Sequence, residues 1–342
     1  MAGEAPDAIV IALAGDVMLG RGVNRSIRER GFAHPWGDIL PAITECDAFL
    51  VNLECALTSH TQHWRDGEEK AFYFRADPEV VRTLQIAGVD FVSLANNHAG
   101  DFQAAGLLQT VAVLDEARIA HAGAGATLAD ARRPAIIQAD AYRIGVIAFA
   151  DYPVAWAAEP AQAGINYTKV STHPEHFQRI HDDIAAAREA ADLVVFTIHW
   201  GPNMVTSPSP EFREFAHAVI DAGADVFWGH SAHVVQGIEV WNRKPILYDT
   251  GDFVDDYAVD RYLRNDLSAL FRLHVRPPLI ERVELIPVKI SDMQVNRARD
   301  AERERFVGHF RELCAEMETR VDVADSRVSI DVQAAKTAAR TG

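Results

Sequence analysis

Apolar runs of strand-like composition alternate with amphipathic stretches along this chain. The main apolar runs lie at residues 8–14, 48–53, 89–95, 143–150, 193–198 and 225–228. Patterns typical of helices occur at residues 78–88, 102–118, 174–190 and 210–222. Strands that alternate with helices favour βαβ units, so we expect parallel strands in an α/β fold.

The second half of the chain adds patterns typical of β-hairpins. Apolar runs with turn residues between them occur over residues 238–248 and 269–290. A charged helix with one apolar side is predicted over 301–320. Two sheets packed together and flanked by helices accommodate both halves in a mixed α/β (α+β) fold. We expect one domain over 1–328 and a flexible tail at 329–342, since that tail offers little apolar surface.

Composition and charge narrow the class of protein. The 342 residues are 49% hydrophobic and 24% charged, which is an ordinary globular composition. The net charge is -16, from 49 acidic and 33 basic residues. This charge argues against a surface for nucleic acid or anionic membranes, because both need a positive footprint. A local basic pocket for a small anionic or peptide-like substrate remains compatible with it.

Cysteine usage and the N-terminal residues bear on the compartment. Cys46, Cys55 and Cys314 are odd in number and form no CxxC motif, which argues against a disulfide framework or a zinc–thiolate site. The first residues, MAGEAPDA, lack the basic and apolar regions of a secretory signal. Apolar stretches fall short of the roughly 20 residues that a membrane span needs. We therefore expect a soluble, cytoplasmic protein.

Six short segments carry residue types that bind metal ions, and five of them follow an apolar run. They are GDVML, NLE, NNHAGD, HWG, GHSAH and TGDF. Strand ends are where open α/β sheets place their chemistry. Carboxylate oxygen, amide oxygen and imidazole nitrogen bind hard or borderline divalent metals. The candidate residues are Asp16, Glu54, Asn97, His98, His199, His230, His233 and Asp252.

Residue chemistry suggests some roles within this set and leaves others open. A carboxylate is the best bridge between two metals, and Glu54 or Asp16 could serve. Asp101 follows His98 by three residues and could hold its tautomer. Arg21 is near Asp16 in sequence and could contact an anionic group of a substrate. Taken singly, each of these residues could also be a turn, cap or surface residue. Motifs of serine hydrolases, P-loops and dinucleotide sites do not occur.

The order of the motifs resembles the CapA family, the poly-γ-glutamate capsule synthesis proteins of the calcineurin-like metallophosphatase superfamily. The run is GDVMLGRG, NLE, NNHAGD, HAGAG, HWGPN, GADVFWGHSAHVVQGIE and ILYDTGDF, and it covers residues 9–254. The resemblance implies a four-layer αββα sandwich with metals at the strand ends. In this arrangement, the C-terminal β pair and helix at 267–320 complete the domain.

The resemblance also implies a role for each matching residue. Asp16 and His233 would bind a first divalent metal, and Glu54 would bridge to a second. Asn97, His199 and His230 would complete the second metal, and His98, oriented by Asp101, would be the general acid. We expect one or two ions, with Mn, Fe, Zn and Ca as the candidates.

Three departures from the superfamily pattern affect the expected site. Met18 stands where the first motif usually has a histidine, which should weaken the first metal site. Two residues, rather than one, separate His230 from His233. Asp252 stands where most CapA relatives have asparagine, and its carboxylate could favour a different metal or act as a base.

Three functions fit these residues. The first is a metal-dependent hydrolase, acting on phosphoesters. The second is a metal-assisted acid/base enzyme that ligates, cleaves or epimerises a peptide or polyglutamate, with Asp252 in a second acid/base pair. The third is a non-catalytic accessory or binding protein that retains the fold, which the missing imidazole at Met18 motivates.

Overall fold

The strands fall into two large mixed sheets and two small ones in the computed structural model, which describes residues 8–65, 70–324 and 327–334. The strands are β1 (Ile9–Val17), β2 (Ala48–Leu53), β3 (Ala56–Leu57), β4 (Arg75–Ala76), β5 (Phe91–Ser93), β6 (Ala120–Ala122), β7 (Ala124–Gly125), β8 (Ala135–Ala139), β9 (Tyr142–Ala150), β10 (Gly164–Ile165), β11 (Leu193–His199), β12 (Val226–His230), β13 (Ile238–Trp241), β14 (Lys244–Leu247), β15 (Asp252–Val254), β16 (Leu267–Arg276), β17 (Leu279–Ser291), β18 (Gln294–Arg297), β19 (Asp322–Ala324) and β20 (Arg327–Asp331). The α-helices are α1 (Arg21–Arg30), α2 (Leu40–Thr44), α3 (Val81–Ile86), α4 (Gln103–Ala117), α5 (Leu128–Arg132), α6 (Pro174–Ala190), α7 (Pro210–Asp221) and α8 (Asp300–Glu316). Short 3-10 helices lie at His34–Ile39, Pro78–Val80 and Val154–Trp156.

The first large sheet joins the start of the chain to its C-terminal strands. Its order is β19-β20-β17-β16-β1-β2-β5-β6, with β15 beside β1 and β18 beside β17. Strands β1, β2, β5 and β6 run parallel, as the alternation of strand and helix predicts. Strands β16 and β17 are antiparallel and come from the hairpin predicted over 269–290, and β20, near the end of the chain, pairs antiparallel with β17.

The second large sheet has the order β13-β14-β12-β11-β9-β8. Strands β9, β11, β12 and β14 are parallel, and the antiparallel hairpin partners β8 and β13 close its two edges. The hairpin predicted over residues 238–248 is therefore confirmed, as β13–β14, and β8–β9 forms a second hairpin in this sheet. In each of these two hairpins, the outer strand lies at the edge of the sheet, and the inner strand also pairs in parallel with the next strand of the sheet.

Strand β11 shows how the layers determine the direction of side chains. Its residues are all buried, because both faces of the sheet are covered. Val194 and Phe196 pack in the core beneath α6 and α7, where Phe196 lies 6.2 Å from Phe215 between ring centroids. Val195 packs in the core shared with the first sheet. Because side chains alternate between faces, His199 lies on the same side as Val195, between the sheets.

The outer face of the first sheet is covered by the segment around Trp36. The Trp36 ring lies 6.0 Å from Phe49 of β2 and 6.4 Å from Phe253 of β15, and its Nε1 donates to the backbone oxygen of Thr83 in α3. Two facing sheets with helical layers outside both give the four-layer αββα sandwich. The expected fold class is thus confirmed.

The C-terminal end of the described chain is more ordered than the sequence suggested. Strand β20 pairs with β17, and Val328, Ile330 and Val332 are buried. The predicted boundary at 328 therefore falls inside a strand, and treating residues 329–334 as a flexible tail is wrong. Apolar residues at every second position, Val328, Ile330 and Val332, form the alternating pattern that is typical of a strand. Residues 335–342 lie outside the described residues.

Four helices also differ from the expectation. Helix α1 (Arg21–Arg30) and the short helices α2 and α5 fall where no helix was predicted, and α8 ends at Glu316 rather than near residue 320. Arg-rich α1 has few apolar residues, so its pattern was weak. Among the helices of the described residues, none combines the length and apolar character needed to cross a membrane.

A buried carboxylate fixes the edge of the second sheet to α7. Glu239 of β13 accepts hydrogen bonds from Tyr248 Oη at 2.6 Å and Arg213 Nη2 at 3.0 Å, and His217 Nε2 lies 3.0 Å away. Burial alone would raise the pKa of Glu239, but His217, Tyr248 and Arg213 together lower it to about 2. The ionised form is therefore stabilised in the folded protein.

Replacing Glu239 by Gln should lower the free energy of unfolding by about 3 kcal/mol at pH 7. A carboxyl whose pKa is depressed on folding stabilises the protein above its unfolded pKa of 4.5 and loses that effect as the pH falls toward 2. Urea unfolding of both proteins from pH 7 to 3 measures this, and the difference should shrink below about pH 4.5. Glu312→Gln, at an exposed position of α8, is the control. A difference that is constant with pH would contradict the assignment.

Candidate metal centre

The carboxyl ends of neighbouring strands bring acidic and histidine side chains together between the two large sheets. In the first sheet, Asp16 of β1 is in register with Asn52 of β2 on one side and with Asp252 of β15 on the other. In the second sheet, His199 of β11 is in register with His230 of β12. The Nδ1 atoms of these imidazoles lie 4.0 and 3.8 Å from Asp16 Oδ1, so the site spans both sheets.

Asp16 belongs to two groups of side chains with a geometry that suits a metal ion. The groups are Asp16, His199 and His230, and Asp16, Glu54, His233 and Asp252. Within each group the candidate ligand atoms lie within 4.8 Å of one another. Adjacent groups that share one carboxylate could hold two ions at neighbouring positions.

Unpartnered oxygen atoms in this cluster fit a divalent ion. Asp16 Oδ2, Glu54 Oε1, Asp252 Oδ2 and Asn97 Oδ1 are buried and have no hydrogen-bond partner within the protein. Buried polar atoms are normally satisfied, because leaving them unpaired is costly. Carboxylate, amide and imidazole groups are ligands of Mn²⁺, Fe²⁺, Zn²⁺ and Ca²⁺, and each ion prefers a different mixture of them. The residues present therefore fit the implied metal.

The charges in the cluster favour an added cation. Burial, and then the charge of Asp16, raises the pKa of Glu54 well above its ordinary value. Burial also raises the pKa of Asp252. Burial would raise the pKa of Asp16 as well, but the contact of its Oδ2 with His233 Nδ1 at 3.3 Å and the nearby imidazoles lower it overall. Conversely, Asp252 and Glu54 outweigh burial and raise the pKa of His233. The carboxylates of the cluster thus carry more negative charge than the neighbouring imidazoles can balance.

His98 and Asp101 form a buried pair beside the cluster. His98 Nδ1 lies 2.6 Å from Asp101 Oδ2, and His98 Nε2 lies 3.9 Å from Glu54 Oε1. Since an ionised carboxylate accepts, Nδ1 carries the proton, and Nε2 of the neutral ring is free on the side of Glu54. Burial lowers the pKa of His98 to about 4, although Asp101 opposes this. Phe74 stacks on the imidazole at 3.9 Å and covers one ring face.

Where the resemblance predicts the first metal position, the side chains differ from the superfamily pattern. Met18 is buried, and its Sδ accepts a hydrogen bond from the backbone N–H of Gly20 at 3.0 Å, within the turn after β1. Asp252 instead joins Asp16 and His233, the two residues that the resemblance assigns to this position. Its Oδ1 lies 2.8 Å from His233 Nδ1. The carboxylate shared by both groups is Asp16, whereas the resemblance assigns the bridge to Glu54.

Two asparagines outside the predicted set hold the cluster in place. Asn52 Nδ2 donates to Asp16 Oδ1 at 2.7 Å and lies 3.4 Å from His199 Nδ1. Asn96 Nδ2 in turn donates to Asn52 Oδ1 at 3.0 Å, and Asn96 Oδ1 accepts from the backbone N–H of His98 at 3.0 Å. This amide chain links the carboxylate to the imidazole pair. Asn52 and Asn96 stand in the motif segments NLE and NNHAGD, so the sequence had indicated both segments. It did not predict that these two side chains would form hydrogen bonds within the cluster.

Arg21 and Tyr257 lie at the rim of the cluster. Tyr257 Oη donates to Glu54 Oε2 at 3.0 Å, although the two residues are 203 positions apart in sequence. The Arg21 guanidinium lies 5.3 Å from the Phe74 ring centroid and 6.0 Å from that of Tyr257. It also pairs with Asp256 Oδ1 at 3.1 Å, so part of its charge is already neutralised. The predicted contact of Arg21 with a substrate anion stays a prediction.

The profile of the family described as bacterial capsule synthesis protein PGA_cap matches residues 10–257. The chain belongs to this family. The match includes Asp16, Glu54, His98 and His230, and it extends to Tyr257, which the sequence motifs had left out. The resemblance to the CapA family is thereby confirmed.

Named relatives come from several bacteria. A "probable polyglutamine synthesis accessory protein" of Mycobacterium tuberculosis is 32% identical over 89% of this chain and 90% of its own. The capsule biosynthesis protein CapA of Bacillus anthracis is 28% identical over 84% of this chain and 68% of its own. The PGA biosynthesis protein CapA of Bacillus subtilis is 27% identical over 95% and 83%.

Two solved structures from Thermus thermophilus resemble this one at low sequence identity. The sulfate thiohydrolase SoxB is 12% identical, with a TM-score of 0.46 over 92% of this chain and 61% of its own. The protein TT1561 is 13% identical, with a TM-score of 0.42 over 77% and 94%.

Because Asp16 is common to both groups, its removal should affect metal binding more than removal of a histidine from one group. We expect about two Mn²⁺ per wild-type chain, about one for His230→Ala and fewer for Asp16→Asn. Inductively coupled plasma mass spectrometry after dialysis, with calorimetric titration, measures this. Asp183→Asn, a buried aspartate paired with Arg132, is the control and should bind as wild type does. Equal losses in the two site variants would contradict a shared carboxylate.

Proposed function

We propose that this protein is a metal-dependent hydrolase of phosphoesters that serves capsule or polyglutamate synthesis. The observation that carries the proposal is the pair of ligand groups sharing Asp16, next to the His98–Asp101 pair. The names of the relatives support the cellular role, since they refer to capsule, PGA and polyglutamine synthesis. When bound, divalent ions at such a site lower the pKa of water and offset the charge of a phosphoryl group.

The protein's own residues would divide the remaining work. Asp16, Glu54, His233 and Asp252 would hold one ion, and Asp16, His199 and His230, with Asn97, would hold the other. His98 would take up a proton from water at Nε2, which is free in the neutral ring, and pass it to the leaving oxygen, while Nδ1 stays protonated against Asp101. Phe74 would limit the access of water to one face of that ring.

Replacing His98 by Asn tests this assignment. We expect kcat to fall by about 10²- to 10⁴-fold with p-nitrophenyl phosphate or bis(p-nitrophenyl) phosphate, because proton transfer is lost. The metal content should stay as in the wild type, since His98 belongs to neither ligand group. His309→Asn, at a half-exposed position of α8, is the control. Turnover that persists in the variant, or that survives removal of metal by a chelator, would refute the proposal.

A second candidate is an acid/base enzyme that acts on a peptide or polyglutamate. The contact between His233 Nδ1 and Asp252 Oδ1 at 2.8 Å favours it, because this is a second imidazole–carboxylate pair near His98. Incubation of the metal-loaded protein with γ-linked glutamate oligomers, followed by mass spectrometry and D/L analysis, tests it. Reaction of phosphoesters with no change in the oligomers would rule it out. Turnover of neither class by metal-loaded protein would leave a non-catalytic accessory role.

A further inference from the structure

A lysine outside the recognised motifs reaches the buried imidazole–carboxylate pair. Lys70 Nζ lies 2.5 Å from Asp101 Oδ1, donates to the backbone oxygen of Asn97 and is 3.4 Å from His98 Nδ1. Its side chain is 14% exposed, and Asp101 is fully buried. A lysine this enclosed needs acceptors for its ammonium group, and Asp101 Oδ1 and the Asn97 backbone oxygen supply them. His98 Nδ1 carries a proton, so it is a near neighbour of the ammonium group and not an acceptor. All three atoms belong to the segment that carries His98.

Lys70 completes the set of donors around the Asp101 carboxylate. Asp101 Oδ2 accepts from the backbone N–H of Phe74 at 2.6 Å and from His98 Nδ1 at 2.6 Å. Asp101 Oδ1 accepts from Lys70. With donors on both oxygens, the plane of the carboxylate is fixed, and the orientation of the imidazole follows from it.

An aromatic residue from another part of the chain holds the lysine in place. Lys70 Nζ lies 4.7 Å from the ring centroid of Trp156, a distance that suits a cation–π contact. Trp156 is buried and packs edge to face against Trp64 at 5.6 Å. A Cβ atom on Gly100 would lie 2.8 Å from the Trp156 ring. The glycine in NNHAGD is therefore required for this ring, and with it the lysine, to approach.

We propose that Lys70 is a positioning residue that orients His98, through Asp101, and the Asn97 backbone for the hydrolytic reaction. This inference rests on the proposed function for its kinetic consequence and on the contacts above for its structural one. Lys70 need not touch the substrate, because its three contacts lie on the protein side of the imidazole. A salt bridge with a purely structural role would alter stability and leave the chemistry unchanged.

The kinetic test compares two lysines with matched surroundings. Lys244 also donates to a backbone oxygen, that of Ala224, and pairs with an aspartate, Asp225, but it lies at the start of β14. In Lys70→Met we expect kcat to fall by about 10- to 100-fold with little change in KM, as for other residues that orient a catalytic group. Lys244→Met should keep the wild-type kcat. Ethylammonium added to Lys70→Ala should restore part of the activity, and absence of both effects would overturn the proposal.

A readout that is independent of turnover separates this proposal from the hydrolase assignment. In metal-loaded, ¹⁵N-histidine-labelled protein, the Nδ1–H signal of His98, assigned by its loss in His98→Asn, reports the hydrogen bond to Asp101. We expect the signal to shift or broaden in Lys70→Met, to persist in Lys244→Met and to recover in Lys70→Arg. An unchanged signal in Lys70→Met would overturn the positioning role. Absence of turnover in the wild type, with the signal behaving as expected, would refute the hydrolase assignment alone.

Discussion

The organisation of this protein depends on one fully buried carboxylate, that of Asp16, at the seam of two sheets. It has strands on both sides, in register at Asn52 and Asp252, and imidazoles from the second sheet across from it. A carboxylate in such a place is tolerated only with compensating positive charge or hydrogen bonds. Asn52 at the end of β2 supplies a hydrogen bond to Asp16, and the histidines of the second sheet lie close to its carboxylate. A cation bound by the ligand groups would balance its charge further.

The backbone near Asp16 is shaped to bring its partners close. A Cβ atom on Gly15 would lie 1.8 Å from the backbone oxygen of Gly251, so only glycine allows β1 and the turn before β15 to approach. His233 has φ of 59° and Ser231 has φ of 122°, conformations that L-residues adopt at a cost. Asp249 holds this loop by accepting from the backbone N–H groups of Ala232 and Gly251 at 2.7 and 2.8 Å. Local strain near His233 is thus maintained by a buried carboxylate that belongs to neither ligand group.

The sequence predicted those parts of the site that follow directly from local pattern. An apolar run that ends in histidine, as in β11 and β12, indicates a strand whose last side chain lies at the sheet edge, and His199 and His230 meet there. Tyr257 and Lys70 gave no such signal, because each reaches the site from an irregular segment and through tertiary packing. Strand β20 was missed for a different reason: its alternation is short and gains meaning only beside β17.

The exchange of an imidazole for a carboxylate bears on the kind of ion the site would select. The group of Asp16, Glu54, His233 and Asp252 contains three carboxylates and one imidazole. Met18, which stands in place of the usual histidine, instead accepts a hydrogen bond from the Gly20 backbone. The Cys55 thiol, next to Glu54, belongs to neither group of ligand atoms, and burial raises its pKa to about 12. Oxygen-rich sets without thiolate suit harder ions such as Mn²⁺ or Ca²⁺ better than Zn²⁺. The first group, with two imidazoles, would suit a borderline ion, so ions held by the two groups would differ in kind although the groups share Asp16.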